Sequence, residues 1–168
     1  MSRQTLERFY TAFQQLDGKA MQACYAPTAR FDDEAFSLQG AQEIGAMWRM
    51  LCEATQTQGR EHWRLDFQIG ADGCSAHWEA HYLFSATGRL VHNRIDATFS
   101  FDGQGRIASH RDRFDFWRWS RQALGLPGLL LGWSGGLRNK VRQQAAKNLA
   151  RYRARRLRVA GPGSGPGS

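Results

Sequence analysis

The stretch "HRDRFDFWRW", residues 110–119, alternates between two kinds of side chain and decides how the rest of the chain is arranged. Such alternation predicts a β-strand, because successive side chains of a strand point to opposite faces of its sheet. One face carries His110, Asp112, Phe114 and Phe116, and the other carries Arg111, Arg113 and Asp115. We expect the first face to be buried, which would place an imidazole and a carboxyl group among aromatic rings.

Three more segments with strand periodicity precede it along the chain, namely "HWRLDFQI", "CSAHWEAHYLFS" and "RLVHNRIDATFSF". Turns that contain glycine separate them, so the four strands are predicted to form an antiparallel meander. A two-residue turn at Thr87-Gly88 and a four-residue turn over 102–105 would set the registers. The predicted partners are Trp78 with Ala97, Ala80 with Ile95, Tyr82 with Asn93 and Phe84 with Val91, then Asn93 with Phe114, Ile95 with Asp112 and Ala97 with His110.

The opposite face of these strands is predicted to be polar, and therefore to be solvated or to lie at a subunit contact. It collects His77, Glu79, His81, His92, Arg94 and Asp96. The His-x-Glu-x-His spacing within this set occurs in metal sites, but strand alternation alone produces the same pattern. We therefore predict no metal ligands on this face.

Helical periodicity characterises the residues that precede the strands. Apolar side chains recur at helical spacing over 3–16, over 18–25 and from residue 41 to Gly59, and Asp17 is a candidate N-cap for the second segment. A strand and turn, "ARFDDEAFSLQG", lie between the second and third helices. Three helices followed by an antiparallel meander predict an α+β fold.

The composition favours a single globular domain. The chain has 168 residues, of which 42% are hydrophobic. No apolar run approaches the ~18 residues that a membrane-spanning helix needs. The 3 cysteines are widely spaced and form no CxxC motif. They suit buried thiols in a reducing, cytoplasmic environment better than a disulfide or zinc framework.

The net charge of +8 is a property of the C-terminal segment. Residues 1–117 carry 12 Lys and Arg against all 15 Asp and Glu, which gives −3, whereas residues 118–158 carry 11 Lys and Arg and no acid. We predict a domain over 1–118, a basic helical extension over 119–159 and a linker over 160–168 that ends in "GPGSGPGS".

The extension is predicted to turn at 126–128 and then to form one helix. Its apolar side chains recur at near-helical spacing at Leu137, Val141, Ala145, Leu149 and Tyr152. We interpret it as an accessory helix that packs this stripe on the domain and solvates its arginines. A peripheral membrane or nucleic-acid contact is the less favoured alternative, and the aromatic–basic alternation of RNA-binding sheets is missing from the sequence.

Three motifs together carry a family resemblance, namely "FYTAFQQLDGKAM" (9–21), "YAPTARFDDEAFSLQG" (25–40) and "FSFDGQGRIASHRDRFD" (99–115). In their order and spacing the chain resembles the nuclear-transport-factor-2-like superfamily over about residues 3–118, and in particular its SnoaL-like branch. That branch includes polyketide cyclases and has ketosteroid isomerases and limonene-epoxide hydrolases as relatives. The resemblance implies a strongly curved sheet wrapped over three helices, a cone-shaped pocket and a homodimer.

The resemblance to the ketosteroid isomerases extends to one catalytic position. Asp33 falls where those enzymes have their proton-abstracting aspartate. Their two oxyanion donors, a tyrosine and a protonated aspartate, correspond to Phe9 and Ala97, whose side chains cannot donate a hydrogen bond. Each such donor is typically worth ~3–4 kcal/mol of transition-state stabilisation, so steroid isomerisation itself is not predicted.

The resemblance to the epoxide hydrolases is also partial. Asp112 sits where their "WRDYFD"-like motifs carry a pocket aspartate. The arginine and aspartate that accompany it there correspond in spacing to Arg94 and Asp96, which the predicted register puts on the outward face. Epoxide hydrolysis by the same set of residues is therefore not predicted.

A candidate site follows from the residues and the resemblance together. Asp33, His110 and Asp112 are the candidate catalytic residues, because burial raises the pKa of a carboxyl group and an imidazole exchanges protons near neutral pH. The candidate ligand-binding residues are Tyr10, Trp48, Trp78, Tyr82, Asn93 and Phe114. The alternative is that His110 and Asp112 only satisfy each other inside the core.

We therefore predict a SnoaL-like protein that holds a small, mostly apolar molecule. If it is an enzyme, the expected chemistry is proton transfer without a cofactor or metal, as in isomerisation, cyclisation, dehydration or hydrolysis. Asp33 or Asp112 would then act as the base and His110 as its partner. The alternative is a non-catalytic ligand-binding or dimeric interaction module of the same fold.

Overall fold

Six β-strands form one sheet in the computed structural model, which describes residues 2–159. The strands are β1 (Tyr25–Asp32), β2 (Ser37–Gln39), β3 (Arg64–Ile69), β4 (Ser75–Phe84), β5 (Arg89–Phe101) and β6 (Ile107–Arg113). Their order across the sheet is β2-β1-β6-β5-β4-β3, with β1 and β6 parallel and the other neighbours antiparallel. The predicted α+β fold class is confirmed, and the predicted linker over 160–168 lies outside the described residues.

The helices are α1 (Ser2–Gln14), α2 (Gly18–Ala23), α3 (Ala41–Thr57), α4 (Phe116–Leu124), α5 (Leu126–Leu131) and α6 (Gly135–Val159), with a short 3₁₀ helix at Arg60–His62. The three N-terminal helices agree with the predicted ones within a few residues. Asp17 caps α2 by accepting a hydrogen bond from the backbone N–H of Ala20. The buried faces of α1 and α3 pack their aromatic and aliphatic side chains into one core with the inner face of the sheet.

The register between β4 and β5 differs from the predicted one by two residues. Trp78 lies opposite Ile95 and Tyr82 opposite Val91, because the hairpin turn comprises four residues, 85–88, and not two. A shift by two leaves every side chain on the face where it was expected, since the side-chain period of a strand is two residues. The predicted separation into an apolar and a polar face therefore survives the error.

The register between β5 and β6 is shifted by two residues in the same way. Ala97 lies opposite Asp112 and Phe99 opposite His110, and a bulge between Ser100 and Phe101 accounts for the irregularity. His110 and Asp112 are 1% and 5% exposed. Their neighbours Arg111 and Arg113 are exposed. The prediction that the imidazole and the carboxyl group point inward is confirmed.

The strand does not continue to the end of the "HRDRFDFWRW" stretch, as the alternation suggested. β6 ends at Arg113, and Asp115 caps α4 by accepting a hydrogen bond from the backbone N–H of Arg118 at 3.0 Å. An aspartate at this position favours a helix start over a longer strand. Phe116 is buried as expected, but from a helix and in a second cluster with Val91 and Trp119. The predicted domain boundary at 118/119 falls inside α4.

The predicted turn at 126–128 is the first turn of α5, where Pro127 is tolerated because the first backbone N–H groups of a helix need no internal partner. This short helix and the residues after it leave a set of large apolar side chains in solvent. Leu126 is 72% exposed and Trp133 is 77% exposed. No helix over residues 2–159 combines the length and the apolarity that crossing a bilayer would require.

The C-terminal helix α6 packs on the rest of the fold through both apolar and polar contacts. Leu149 and Tyr152 are buried in the main core, and the Tyr152 hydroxyl donates to Glu53 of α3 at 2.7 Å. Basic side chains of α6 reach acids on α3 and on the 33–36 turn. These ion pairs join Arg138 to Glu34 (3.4 Å), Arg153 to Glu43 (3.4 Å) and Arg156 to Glu53 (2.6 Å).

We predict that Leu149→Ala loosens α6 without unfolding the sheet. Truncation of a buried leucine removes ~2–5 kcal/mol of packing free energy, and the loss falls on the contact between α6 and α3. Hydrogen exchange should accelerate at the α6 amides and stay unchanged at the β5 amides. Leu157→Ala is the matched control on the same helix, because Leu157 is 73% exposed. Equal protection of α6 in both variants would contradict this account.

Candidate functional site

A cavity of about 960 Å³ lies between the inner face of β4 and β5, helix α3 and helix α6. Seven of the nine predicted site residues line it, namely Asp33, Trp48, Trp78, Tyr82, Asn93, Asp112 and Phe114. Tyr10 and His110 are buried behind its wall and do not line it. Most of the remaining wall is apolar, so the cavity suits a ligand with a largely apolar surface.

A line of hydrogen bonds leads from the core to the cavity wall. The indole N–H of Trp48 donates to the Tyr25 hydroxyl oxygen at 3.0 Å, and that hydroxyl lies 2.7 Å from His110 Nδ1. His110 Nε2 lies 2.9 Å from Asp112 Oδ1, which also accepts from the indole N–H of Trp78 at 3.4 Å. The five side chains come from four segments of the sequence, which meet because β1, β4 and β6 share one sheet with α3 packed on it.

The geometry assigns a direction to each hydrogen bond in this line. Because Trp48 can only donate, the Tyr25 oxygen accepts from it, and the Tyr25 hydrogen is directed to His110 Nδ1. His110 then carries its proton on Nε2 and donates it to the Asp112 carboxylate. This assignment, a neutral imidazole beside an ionised carboxylate, gives every polar hydrogen in the line an acceptor.

Aromatic rings surround His110 and keep water away from the imidazole. The nearest ring centroids are those of Phe99 at 4.3 Å and Phe31 at 4.9 Å, with Phe9 at 5.6 Å on a third side. The Trp48 ring stacks at 6.2 Å with an interplanar angle of 20°. The imidazole is therefore a fixed support for Asp112, because its two nitrogens are engaged and its faces are covered.

Asp112 is the point at which the hydrogen-bonded line reaches the cavity. Both of its hydrogen bonds use Oδ1, so Oδ2 has no partner among residues 2–159. A carboxylate oriented in this way can accept a proton from a bound molecule, since its second oxygen is free while its first is held.

Asp33 lies beside Asp112 at the end of the neighbouring parallel strand. The register pairs Asp32 with Arg111, so one further step brings Asp33 level with Asp112. Its Oδ1 accepts from the backbone N–H groups of Ala35 at 2.7 Å and Phe36 at 2.6 Å, which fixes the carboxyl group in the 33–36 turn.

Asp33 holds its proton more readily than an ordinary aspartate does. Burial raises the pKa of Asp33 to about 7, the charge of Asp112 adds to this rise, and the backbone hydrogen bonds act in the opposite direction. Asp33 therefore keeps its proton to a higher pH than an ordinary aspartate. A carboxyl group of this kind can act as an acid beside a second carboxylate that acts as a base.

Tyr82 adds a hydrogen-bond donor to the cavity wall. Its hydroxyl oxygen accepts from the indole N–H of Trp119 at 2.9 Å. Burial raises the pKa of Tyr82 to about 12, so the phenol keeps its proton. Since Trp119 occupies the oxygen as a donor, the phenolic hydrogen is left for a bound molecule.

Tyr10 occupies a different position from the one expected of a ligand-binding residue. It is fully buried and stacks on Phe67 at a centroid distance of 4.9 Å. Its hydroxyl has no hydrogen-bond partner over the described part of the chain. Burial raises its pKa well above the usual value, with a further contribution from the charge of Asp112.

Two parts of the site were not predicted from the sequence. Tyr25 was missed because its partner His110 lies 85 positions away on a parallel strand, and no local pattern connects the two. The α6 side of the cavity was missed because apolar spacing does not reveal where a terminal helix packs. Its lining residues include Leu137, Lys140, Val141, Gln144, Lys147, Asn148, Arg151 and Arg155.

The outer face of the sheet carries its own polar network, away from the cavity. His77 Nδ1 lies 2.7 Å from Asp96 Oδ1, and the His81 and His92 rings stack with centroids 3.9 Å apart. The residues of this face are exposed or half-buried, as the alternation predicts. Among residues 2–159, no group of three or more His, Cys, Asp or Glu side chains is arranged to hold a metal ion.

We predict that Asp33 makes the folded protein less stable as the pH rises. Its folded pKa of about 7 lies above the usual value of 3.8, so its stabilising contribution is complete below pH 3.8 and is lost as the pH passes through 7. Asp33→Asn keeps an oxygen for the Ala35 and Phe36 N–H groups and removes the titration. Thermal melts should show a larger gain in Tm for this variant at alkaline than at acidic pH.

The control for this measurement is Asp66→Asn, which makes the same chemical change on the exposed surface of β3. Its effect on Tm should be the same at both pH values. A pH-independent effect of Asp33→Asn would show that Asp33 does not titrate in this range.

Comparisons with known proteins agree with the fold. The family model of the SnoaL-like domain matches residues 6–110. A candidate polyketide cyclase from Pseudomonas putida KT2440 is 22% identical, with a TM-score of 0.55, and the match covers 73% of this chain and 97% of that one. An epoxide hydrolase of the LEH-like type from M. tuberculosis is 22% identical, with a TM-score of 0.52, over 77% and 95% of the two chains.

A candidate isomerase from Bacillus subtilis is 17% identical, with a TM-score of 0.56, over 73% of this chain and 91% of that one. At these identities the likeness shows the shared fold. None of the curated proteins matches the chain in sequence. The match of the family model extends over more than half of the chain, and it confirms the resemblance seen in the motifs. The chain belongs to the SnoaL-like domain family within the nuclear-transport-factor-2-like superfamily.

Proposed function

We propose that the protein is a cofactor-independent enzyme that moves a proton on a small, mainly apolar carbonyl compound held in the cavity. The observation that carries the proposal is the hydrogen-bonded line Trp48–Tyr25–His110–Asp112, which ends in one free carboxylate oxygen at the cavity wall. If His110 and Asp112 only satisfied each other inside the core, Asp112 would not need to line an apolar cavity of about 960 Å³.

Asp112 is the base in the proposed reaction. Its Oδ2 takes a proton from the carbon next to the carbonyl group, and the electron pair of that C–H bond moves toward the carbonyl oxygen. His110 keeps its Nε2–H and holds Oδ1 in place throughout. On a β,γ-unsaturated carbonyl compound, protonated Asp112 then returns its proton to the γ carbon, the electron pair on the oxygen re-forms the carbonyl group, and the double bond moves to the α,β position, which completes an isomerisation.

The carbonyl oxygen receives a proton or a hydrogen bond while it carries negative charge. Asp33 is suited to this role because its raised pKa of about 7 leaves a protonated fraction at neutral pH. Tyr82 is suited to donate a hydrogen bond through its unused phenolic hydrogen. Asp33 and Tyr82 would take the place of the two oxyanion donors of the ketosteroid isomerases, because Phe9 and Ala97 at the corresponding positions cannot donate a hydrogen bond.

The second candidate function is ligand binding without turnover. The observation in its favour is that Tyr25, Trp48 and His110 satisfy each other completely and leave no proton path from the core. In this case the cavity would hold an apolar ligand and Asp112 would only orient it. The homodimer that the family resemblance implies also stays a prediction.

We predict that Asp112→Asn lowers catalysed proton exchange at least ~100-fold, the usual effect of removing a general base. The probe is 2-tetralone in D₂O, whose α-protons are followed by NMR as deuterium replaces them. The amide oxygen of the variant still accepts from His110 Nε2–H, so the fold is kept, and circular dichroism checks this. Asp66→Asn is the matched control and should exchange at the wild-type rate.

The pH profile tests the role of Asp33 separately. If the protonated form of Asp33 assists the reaction, the exchange rate falls as the pH rises through about 7. Asp33→Asn should remove this decrease. Wild-type exchange rates in Asp112→Asn would contradict the enzymatic proposal. Binding of the ketone with no exchange above the buffer rate would support the non-catalytic alternative.

A further inference from the structure

One face of α6 presents a stripe of polar and cationic side chains to the cavity. Its members recur every three or four residues, as one face of a helix requires. They are Lys140, Gln144, Lys147, Arg151 and Arg155. All five are exposed as well as cavity-lining, so they form the rim at which the cavity meets solvent.

The cations of α6 fall into two groups with different surroundings. Arg138, Arg153 and Arg156 point away from the cavity and form ion pairs with Glu34, Glu43 and Glu53. The rim cations are different. Over residues 2–159, no acid lies within ion-pair distance of Lys140, Lys147, Arg151 or Arg155.

This difference is informative because acids of α3 and of the 33–36 turn lie beside α6 and pair with its other cations. Four unpaired cations within about four helical turns raise the local positive potential at the rim. The inner end of the cavity has the opposite character, because Asp33 and Asp112 stand among aromatic walls. A negatively charged group is therefore repelled from the inner end and attracted to the rim.

We propose that the ligand of this cavity is an amphipathic anion, with an apolar body in the cavity and a carboxylate or another oxyanion at the α6 rim. The charge of the ligand is inferred from the cavity alone, whereas the position of the reacting carbon rests on the proposed function. It adds the charge of the ligand and its orientation. The reacting carbon lies at the end remote from the anionic group, beside Asp112.

The experiment compares 11-(dansylamino)undecanoic acid with its methyl ester, two probes that differ in charge and share the apolar body. Dansyl fluorescence reports burial in an apolar site. The acid should bind at least tenfold more tightly than the ester, and added salt should reduce the difference because screening weakens the attraction. The double variant Lys147→Gln and Arg151→Gln should bind both probes equally.

The control removes the same charge from α6 at positions that do not line the cavity, with Arg153→Gln and Arg158→Gln. It should keep the preference for the acid. Equal binding of acid and ester to the wild type would overturn this inference and leave the exchange of 2-tetralone unaffected. Binding of neither probe would overturn it as well, and the tetralone assay then decides the proposed function on its own.

A second and independent observation concerns α5 and the residues that connect it to α6. Large apolar side chains stand in solvent over a few consecutive positions, which is unusual for a monomeric surface. Leu126 is 72%, Leu130 65%, Leu131 51% and Trp133 77% exposed. The Arg121 guanidinium lies 4.3 Å from the centroid of the neighbouring Trp117 ring.

The charge around this patch indicates what covers it. The charged residues that flank the patch in sequence, Arg118 and Arg121 before it and Arg138 and Lys140 after it, are all basic, so a second copy of the patch would bring like charges together. Leucines and an exposed tryptophan beside cations suit the interface of an anionic bilayer, where the rings and aliphatic chains enter the headgroup region. We propose that this patch binds the surface of membranes that contain anionic lipids.

Vesicle co-sedimentation tests this proposal with phosphatidylcholine alone and with phosphatidylcholine mixed with phosphatidylglycerol. The wild type should bind the anionic vesicles at least tenfold more than the neutral ones, and Leu130→Ser with Trp133→Ser should lose this binding. Leu157→Ser with Val159→Ser is the matched control, because these residues are 73% and 78% exposed at the far end of α6. Unchanged binding of the patch variant would overturn the proposal. So would binding to duplex DNA in place of vesicles, or a dimer that the patch variant abolishes.

Discussion

The hydrogen bond between the His110 imidazole and the Asp112 carboxylate is the interaction on which the rest of the site depends. An ionised carboxylate in an apolar interior is tolerated only where hydrogen-bond donors face it. His110 and Trp78 supply these donors, and Tyr25 determines which imidazole nitrogen carries the proton. The aromatic rings around His110 then serve two purposes, because they form the core of the fold and they exclude water from this pair.

The sequence predicts the inward direction of His110 and Asp112, and the reason is physical. Strand alternation has a period of two, so it determines the face of a side chain even where the pairing partner is wrong. Both hairpin registers differ from the predicted ones by two residues, and the same residues still point inward. A glycine-containing turn indicates that a hairpin exists. The number of residues in the turn depends on contacts with distant segments, such as the hydrogen bond from the Thr87 hydroxyl to the Ala123 carbonyl.

Other parts of the arrangement depend on contacts between distant segments and could not be predicted. The parallel pairing of β1 with β6 brings Tyr25 to His110 and Asp33 to the level of Asp112, and no hairpin links those strands. The alternation of "HRDRFDFWRW" continues past the end of β6, so it does not show that Asp115 caps a helix. The position of α6 depends on the burial of Leu149 and Tyr152 in the main core and on ion pairs with α3, and both require the fold to exist before they can form.

The attachment of α6 has a consequence for how molecules enter and leave the protein. The helix is anchored by Leu149 and Tyr152 in the main core, and three partly exposed ion pairs add to this, each worth ~0–1 kcal/mol in water. Opening the cavity on the α6 side would therefore cost the burial of Leu149 and Tyr152 as well as these ion pairs, but none of the hydrogen bonds within the sheet. Because ionic strength weakens such pairs, their share of this cost is smaller in concentrated salt than in dilute buffer.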